Sequence, residues 1–369
     1  MAPIRILVVD DSVVIRKVLC DTLSKDPELD VVGSAVNGQI ALAKIVQLKP
    51  DLVTLDIEMP VMDGLEALVE LRKLHPTMPV IIFSTLTERG ASSTLDALSF
   101  GASDYATKPS NTNAPEAIEA IRSDLIPKIK ALCTRRLLNL KPPPGLQLVS
   151  RGPVPANRRI EIVAIGTSTG GPNALAEVLP RLPKDLPVPI VVVQHMPPLF
   201  TRMLADRLAS RSEIAVEEAS AGVFLSPGHA WIAPGNFHMT VASVGLKWRL
   251  ELSQDPPEHS CRPAVDVLFR SVAKVCRANV LGVVMTGMGS DGVLGAQHIR
   301  QAGGEVIIQD ESSSVVWGMP GLVHAAGQAD AVYPLDQLAP QITRRVLQSR
   351  APQPPRALNS SPRLEIRAK

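Results

Sequence analysis

Two groups of reactive side chains in this sequence suit two different chemistries. The first group lies within the first 110 residues and consists of carboxylates and a lysine: Asp10, Asp11, Asp56 and Lys108. The second group lies beyond residue 160 and consists of a serine in a glycine-rich segment, a histidine and an aspartate: Ser168, His195 and Asp291. Carboxylates with a lysine suit capture of a phosphoryl group, and the second group suits nucleophilic hydrolysis. The sequence therefore predicts a hydrolase that is switched by phosphorylation.

Composition limits the class of protein before any motif is considered. The chain has 369 residues, enough for two domains with full cores. Its net charge of +2 implies no general affinity for polyanions, so a nucleic-acid partner is not expected. The four cysteines contain no C-x-x-C pair, which argues against a structural zinc site or a disulfide framework.

The lengths of the apolar runs indicate where the protein is located. The chain enters a short apolar strand at Ile4–Val9, which is too short for the apolar region of a signal peptide. No apolar run approaches the roughly 18 residues that a membrane span needs. We therefore expect a cytoplasmic protein that is not inserted in a membrane.

Short apolar runs alternate with amphipathic stretches in the first part of the chain. The predicted strands are Ile4–Val9, Val31–Ala35, Leu52–Leu55, Val80–Phe83 and Asp104–Ala106. The predicted helices are Ser12–Ser24, Gly38–Leu48, Gly64–Leu74, Ser92–Phe100 and Ala114–Cys133. Five such βα units predict a parallel sheet that is covered on both faces.

A proline-rich stretch separates this segment from a second α/β segment. Pro142, Pro143 and Pro144 cannot continue a helix, and they favour an extended linker. We divide the chain into a first domain at 1–130, a linker at 131–158, a second domain at 159–348 and a disordered tail at 349–369. The tail is rich in proline and arginine and lacks apolar periodicity.

The second domain again alternates strands with helices. Its predicted strands are Ile160–Ile165, Ile190–Val193, Ala230–Ala233, Leu281–Met285 and Glu305–Ile308. Its predicted helices are Pro172–Leu182, Phe200–Ser210, Ala264–Cys276, Gly292–Ala302 and Leu335–Ser349. Antiparallel hairpins are expected near 223–252, where strand-like runs lie close together.

The carboxylates of the first domain are expected to meet at one edge of its sheet. Asp10 and Asp11 follow the first strand and Asp56 ends the third, and residues past the carboxyl ends of parallel strands converge. Close carboxylates repel one another unless a cation lies between them, and hard oxygen ligands favour Mg²⁺. Asp56 is then the predicted phosphoacceptor, with Lys108 pairing with the phosphate and Ser84 donating a hydrogen bond to it. A single aspartate at a strand end is more often a helix cap, but the five matching positions in order, which also include Ser84 and Lys108, favour the site.

The segment Gly166–Gly171 has two interpretations. A glycine-rich turn before a helix binds phosphate through backbone N–H groups, but the dinucleotide fingerprint needs a glycine where this chain has Ser168. Gly-x-Ser-x-Gly also fits the turn that carries the serine nucleophile of α/β-hydrolases. In that fold the acid precedes the histidine, whereas His195 here precedes Asp291. The triad chemistry is therefore predicted on a different fold.

The histidine and the acid each have a simpler interpretation. A lone histidine such as His195 is often a hydrogen-bonded core residue, and Asp291 could be only the N-cap of the next helix. Ser168 on a neighbouring strand favours the catalytic roles instead. Metal binding by His195, His229 or His238 is less favoured, because no H-x-x-x-H spacing is present.

The first domain resembles a response-regulator receiver domain over residues 1–125. The matching positions are Val9–Ser12, Asp56–Pro60, Met62–Gly64, Ser84 and Lys108–Pro109. The resemblance implies that Asp10, Asp11 and Asp56 hold Mg²⁺ together with the backbone carbonyl of Glu58. It also implies that Tyr105 is a switch aromatic, which changes rotamer when Ser84 moves towards the phosphate.

The whole chain, over residues 1–348, resembles the CheB family of chemotaxis protein-glutamate methylesterases. The motifs that carry the resemblance are Gly166–Gly171, Gln194–Met196, Ala233–Gly235, Arg262–Asp266, Thr286–Gly292 and Gly318–Pro320. The resemblance maps the catalytic triad onto Ser168, His195 and Asp291 and the oxyanion-hole N–H onto Met288, and it places Thr169 and Arg262 in the cleft. Ala264 stands where the family commonly has serine, and the linker is unusually rich in proline.

The resemblance implies a fold and a function. The expected fold class is α/β: a (βα)5 receiver with a parallel sheet, a linker, and a doubly wound, mostly parallel methylesterase domain with a β-hairpin region. The expected substrates are γ-glutamyl methyl esters, together with glutamines, on methyl-accepting chemoreceptors. A chemotaxis histidine kinase is the expected phosphodonor, Mg²⁺ serves phosphorylation, and the esterase reaction is expected to need no cofactor. A receiver fused to an inactive module and a transcriptional regulator are the two alternatives, and no helix-turn-helix supports the latter.

Overall fold

The N-terminal domain is a five-stranded parallel sheet flanked by helices in this computed structural model, which describes residues 2–108, 118–119, 121–133 and 158–350. Its strands are β1 (Ile4–Val9), β2 (Leu29–Ala35), β3 (Leu52–Leu55), β4 (Val80–Ser84) and β5 (Asp104–Thr107). Its helices are α1 (Val13–Leu23), α2 (Gly38–Leu48), α3 (Gly64–Leu74), α4 (Glu88–Ser99) and α5 (Ile126–Cys133), the last preceded by a π-helical turn, Ile121–Leu125. The strand order β2-β1-β3-β4-β5 places the change of direction between β1 and β3.

The ends of these helices follow from their capping residues. Asn37 accepts a hydrogen bond from Ile40 N at the start of α2, and Asp63 forms a capping box with Glu66 at the start of α3. Helix α4 begins at Glu88, four residues before the predicted Ser92, because the Thr87 hydroxyl caps it by accepting from Gly90 N. The predicted helix Ala114–Cys133 lies partly outside the described residues, and its described part is the π-helical turn followed by α5.

The C-terminal domain contains a seven-stranded sheet in which all neighbouring strands are parallel. Its sheet strands are β6 (Ile162–Thr167), β7 (Ile190–Gln194), β8 (Ala215–Glu218), β9 (His229–Ile232), β12 (Val280–Val284), β13 (Glu305–Gln309) and β14 (Ala331–Tyr333). The helices are α6 (Gly171–Val178), α7 (Phe200–Ala209), α8 (Val265–Cys276), α9 (Val293–Gln301), α10 (Met319–Ala325) and α11 (Leu335–Gln348). Strands β10 (His238–Val244) and β11 (Lys247–Ser253) form the expected antiparallel hairpin.

The order of the second sheet is β14-β13-β12-β6-β7-β9-β8. The chain therefore starts in the middle at β6, builds outwards through β7, and returns to the other side at β12. The crevice at the carboxyl ends of β6 and β12 is the topological switch point, where ligands bind in open α/β sheets. Helix α6 ends at Val178, before the predicted Leu182, and a 3-10 turn containing Pro180 follows it. Strands β8 and β14 and helix α10 were not predicted.

The predicted linker and the predicted tail lie mostly outside the described residues. Residues 131–133 of the predicted linker belong to α5, and 134–157 lie outside the described residues. Of the predicted tail, residues 351–369 lie outside them as well. In the ranges that are described, no helix combines the length and the apolar character that crossing a bilayer requires.

Candidate active site and phosphoacceptor site

Ser168 lies in a tight turn between β6 and α6. Its N–H donates to Thr286 O at 3.0 Å, and its carbonyl accepts from the Gln194 side chain at 3.0 Å. Gly170 has a φ of +76°, which glycine adopts without strain, and this lets the chain turn into the helix. A Cβ on Gly287 would lie 2.9 Å from Ser168 Cβ, so only glycine lets the loop after β12 approach the serine this closely. The half-buried serine is thus held by backbone contacts on two sides.

His195 and Asp291 are brought into direct contact. His195 Nε2 and Asp291 Oδ2 lie 2.8 Å apart, and both side chains are almost completely buried. His195 follows β7, which pairs with β6 so that Gln194 lies opposite Thr167. Ser168 and His195 therefore follow directly opposed residues on strands about 4.8 Å apart. Within the described residues, the Ser168 hydroxyl makes no hydrogen bond to His195 in this arrangement.

Asp291 caps a helix, but not the helix that follows it. Its carboxylate accepts from the N–H groups of Val265 at 2.6 Å and Asp266 at 2.8 Å, at the start of α8. Burial raises the pKa of Asp291, but the hydrogen bond from His195 and these two N–H groups outweigh burial and lower it. The carboxylate is therefore ionised. It is anchored to the N-terminus of α8, while its Oδ2 faces the imidazole.

The second ring nitrogen of His195 meets a cysteine. Cys261 Sγ lies 3.6 Å from His195 Nδ1, on the side of the ring opposite Asp291. Burial lowers the pKa of His195, but Asp291 and Cys261 outweigh this and raise it to about 10. In this arrangement Asp291 and Cys261 therefore favour the protonated form of the imidazole at neutral pH.

The three residues predicted to line the cleft have different surroundings. Met288 is half-buried and packs against an apolar cluster that joins Val316 to residues of the N-terminal domain. Thr169 is buried, and its hydroxyl donates to Asp104 Oδ2 at 2.8 Å. The Arg262 guanidinium donates to Asn236 Oδ1 and to two backbone carbonyls, so it is fixed at the rim.

Sequence reasoning missed two residues beside this site, Cys261 and His259. His259 Nε2 lies 2.8 Å from Asp266 Oδ2 and 4.0 Å from Asp291 Oδ1. The only sequence signal was their closeness to the Arg262 motif, which carries no chemical meaning by itself. His229 and His238, weighed as metal ligands, lie elsewhere. His229 stacks on Trp231, and His238 contacts Pro256 O and Ala264 N.

The carboxylates of the N-terminal domain meet as predicted at the ends of β1 and β3. Oxygen atoms of Asp10, Asp11 and Asp56 lie within 4.8 Å of one another. Lys108 Nζ bridges two of them, at 2.8 Å from Asp10 Oδ2 and 2.7 Å from Asp56 Oδ2. Burial raises the pKa of Asp56 to about 6, although Lys108 opposes the shift. Lys108 does not offset the burial of Asp56, and two further carboxylates lie beside it, so the site suits a further cation.

The other receiver residues surround this cluster. A cavity of about 290 Å³ opens above it and is lined in part by Asp11, Asp56, Glu58 and Ser84. The Ser84 hydroxyl donates to Gly90 O at 3.2 Å, while the Glu58 side chain pairs with Arg89 at 3.1 Å. Tyr105 is buried and points to the C-terminal domain, where its ring stacks on that of Phe200 with 4.9 Å between centroids.

The N-terminal domain lies over the serine edge of the C-terminal sheet. Besides the contact between Thr169 and Asp104, Asn173 on α6 donates to Leu98 O at 2.8 Å. Arg207 on α7 pairs with Asp96 on α4 at 2.7 Å and donates to Ser99 Oγ at 2.8 Å. The interface thus begins at the residue that follows Ser168.

Comparison with known proteins agrees with this two-domain arrangement. A family model described as CheB methylesterase matches residues 163–342, and one described as response regulator receiver domain matches residues 6–121. A protein-glutamate methylesterase/protein-glutamine glutaminase of Trichodesmium erythraeum is 52% identical over 351 residues, covering 94% of this chain and 100% of that protein. A protein of the same name from Nocardioides sp. is 51% identical over 358 residues, covering 95% of this chain and 97% of that protein. The crystal structure of the Thermotoga maritima CheB methylesterase catalytic domain is 43% identical, covering 50% of this chain and 97% of that one, with a TM-score of 0.49.

The fold and the two sites define a protein that joins a response-regulator receiver domain to an α/β hydrolytic domain. The extent of the similarity then assigns the family. This chain belongs to the CheB family of protein-glutamate methylesterases/protein-glutamine glutaminases.

Proposed function

We propose that this enzyme removes methyl groups from γ-glutamyl methyl esters of chemoreceptors, by a Ser168–His195–Asp291 mechanism that receiver phosphorylation activates. The observation that carries the proposal is the placement of these residues at the switch point of one sheet, with the receiver packed on Thr169 beside the serine. A hydrolytic site and its regulator thus share one surface.

In the proposed esterase reaction, Ser168 Oγ attacks the ester carbonyl while His195 takes up the serine proton. Because Nε2 contacts Asp291, the serine proton goes to Nδ1, which lies 3.6 Å from Cys261 Sγ in this structure. Asp291 orients the ring and stabilises the imidazolium that forms. The Met288 N–H is assigned to the oxyanion of the tetrahedral intermediate. His195 then returns the proton to the departing methanol, and water releases glutamate and free Ser168. Attack on a glutamine amide by the same route releases ammonia.

We assign Asp10, Asp11, Asp56 and the Glu58 backbone carbonyl to Mg²⁺, which the receiver domain implies. The shared proximity of the three carboxylates and the raised pKa of Asp56 support this assignment. Bound Mg²⁺ supplies positive charge that keeps the carboxylates ionised and neutralises an incoming phosphate. Asp56 accepts the phosphoryl group, and Lys108, already 2.7 Å from it, pairs with the phosphate.

Phosphorylation is proposed to act on the interface between the domains. A phosphoryl group adds up to two negative charges at Asp56. Ser84 moves towards them, and the Tyr105 ring follows and leaves its stack on Phe200. Loss of that stack weakens an interface that, among the described residues, is otherwise held by the polar contacts of Thr169, Asn173 and Arg207, so the cleft opens to a receptor helix. The phosphodonor assigned here is a chemotaxis histidine kinase, and both partners place the enzyme in the cytoplasm.

The test of the proposed nucleophile is methanol release from methylated receptor helices by Ser168→Ala. The variant is expected to lose about 10³- to 10⁶-fold in kcat with its fold intact, because the serine lies in a small turn. Ser220→Ala, outside the site, is the matched control. A fluorophosphonate should label wild-type Ser168, which an inactive interaction module or a transcriptional regulator would not do. Near-normal methanol release by Ser168→Ala contradicts the mechanism.

A further inference from the structure

A two-residue turn flanks the His195–Asp291 pair from outside. Glu258 and Cys261 exchange two backbone hydrogen bonds, of 3.2 and 2.8 Å, and enclose His259 and Ser260. The φ values of these two central residues are +52° and +61°, a conformation that favours glycine or asparagine. Neither residue is of that kind, so the turn is strained, and such strain is found where a side chain must be aimed.

The turn aims its side chains at both members of the pair. Cys261 Sγ reaches His195 Nδ1, whereas His259 Nε2 reaches Asp266 Oδ2 at 2.8 Å and lies 4.0 Å from Asp291 Oδ1. The other ring nitrogen of His259 faces Ser290 Oγ at 3.4 Å. His259 therefore contacts Asp266 directly and lies near the Asp291 oxygen that does not contact His195.

Two buried carboxylates meet at this point. Asp266 is fully buried, and Asp291 is 1% exposed. Backbone N–H groups satisfy much of their hydrogen bonding: Gly292 and Gly295 donate to Asp266 Oδ1 at 3.0 and 2.6 Å. These donors are neutral, so the two negative charges still repel each other.

His259 is placed to offset that repulsion. The charged groups that face it are Asp266 and Asp291 from the C-terminal domain core and Glu258 from its own turn, and Arg270 on α8 is already paired with Glu258 at 2.9 Å. The hydrogen bond to Asp266 raises the pKa of His259, with burial opposing it. Its outer face is open to solvent, so it exchanges protons freely.

We propose that His259 is a positioning residue for the esterase reaction. Its imidazolium balances the negative charge of Asp266. Asp291 therefore stays ionised and orients His195, while the negative potential at the His195 ring stays low. This inference rests on the proposed function of Ser168 and His195. Loss of the positive charge increases the negative potential at His195, which then holds its proton more tightly and serves as a base only at higher pH.

The test is the pH dependence of kcat/KM for methanol release, measured on the full chain with Mg²⁺ and a small-molecule phosphodonor. His259→Gln removes the charge, and His259→Lys keeps one at the same strained position. In His259→Gln the acid limb of the kcat/KM profile should move to higher pH by about one unit. At pH values on that limb, kcat/KM should therefore be roughly tenfold lower than in the wild type. His259→Lys should restore the wild-type limb. His298→Gln, on the surface of α9, is the matched control and should leave the profile unchanged.

Several outcomes overturn the proposal. A purely structural role would lower the rate of His259→Gln equally at every pH, and His259→Lys would not restore it. If His259→Gln does not fold, imidazole ¹⁵N titration of the wild type decides, since a neutral His259 at pH 7 contradicts the proposal. Failure of the proposed function looks different, because Ser168→Ala would then remain active whatever His259 does.

Discussion

The ion pair between Arg207 and Asp96 offers a measurable way to loosen the interface without touching either site. Arg207 is replaced by alanine, which removes the pair with Asp96 and the hydrogen bond to Ser99. The Asp96 side chain is 46% exposed and that of Arg207 is 22% exposed. Because solvent screens the pair, it stabilises the closed arrangement by only about 0.5–1 kcal/mol. The hydrogen bond adds about 0.5–1 kcal/mol. The closed arrangement therefore loses about 1–2 kcal/mol, a shift of about 5- to 30-fold in its equilibrium.

The assay is methanol release by the unphosphorylated enzyme and by the enzyme given Mg²⁺ and phosphodonor. Arg207→Ala should raise the unphosphorylated rate by up to that factor and leave the phosphorylated rate unchanged, so the ratio of the two rates falls. Asp96→Ala removes only the ion pair and should raise the unphosphorylated rate about 2- to 5-fold. Because both replacements break the same pair, the double variant should resemble Arg207→Ala alone.

The matched control is Lys73→Ala, which breaks an exposed ion pair with Glu70 on α3, within the N-terminal domain and away from the described interface contacts. It should not change either rate. If Arg207→Ala and Asp96→Ala behave like Lys73→Ala, this interface does not close the cleft, and the obstruction argument is refuted.

Three further predictions concern the acceptor, the receiver as a whole and the proton of His195. Asp56→Asn should abolish the Mg²⁺-dependent incorporation of phosphate, and Asp11→Ala should weaken Mg²⁺ binding because it removes an anionic ligand. Persistent labelling of Asp56→Asn would move the acceptor elsewhere. Deletion of residues 1–140 should raise basal esterase activity and remove its response to phosphodonor. A truncated protein no more active than the unphosphorylated chain would mean that the receiver stimulates catalysis rather than obstructing it. Because Asp291 and Cys261 raise the pKa of His195 to about 10, the unphosphorylated enzyme should gain activity as pH rises above neutrality, where the base loses its proton. A profile that is flat from pH 7 to 10 argues against this.

Local signals predicted much of the fold. Helices α2 and α3 and strand β3 have the predicted bounds, because Asn37 and Asp63 cap the helices and the apolar run of β3 ends at Asp56. Strands β8 and β14 were missed, since they are short edge strands with few buried residues. The order of the second sheet depends on contacts between distant segments, which no local pattern contains.

The sequence likewise predicted some parts of the candidate sites and missed others. Ser168 and His195 follow two paired strands of the second sheet, and Asp10 and Asp56 follow two paired strands of the first, so the convergence of strand ends was enough to place the members of each pair together. The position of Asp291 was also predicted, but its capping of α8 was not, since that helix lies 25 residues earlier in the chain. The contacts of Cys261 and His259 depend on a turn of positive φ that its sequence does not signal.

The contacts between the domains could not be predicted at all. Asp104 and Thr169 are 65 residues apart, and each belongs to a segment whose own pattern is satisfied without the other. Tyr105 was expected to be a switch residue from its resemblance to other receivers, but its stacking partner Phe200 reads in the sequence as an ordinary core residue of a helix. Complementarity of two surfaces leaves little trace in either sequence.

The most direct test of the central claim is the rate of methanol release from methylated receptor helices, before and after addition of Mg²⁺ and phosphodonor. The wild-type rate should rise after the addition, Asp56→Asn should stay at the basal rate, and Ser168→Ala should be inactive in both conditions. Activation of Asp56→Asn to the wild-type level, or methanol release by Ser168→Ala, would contradict the account.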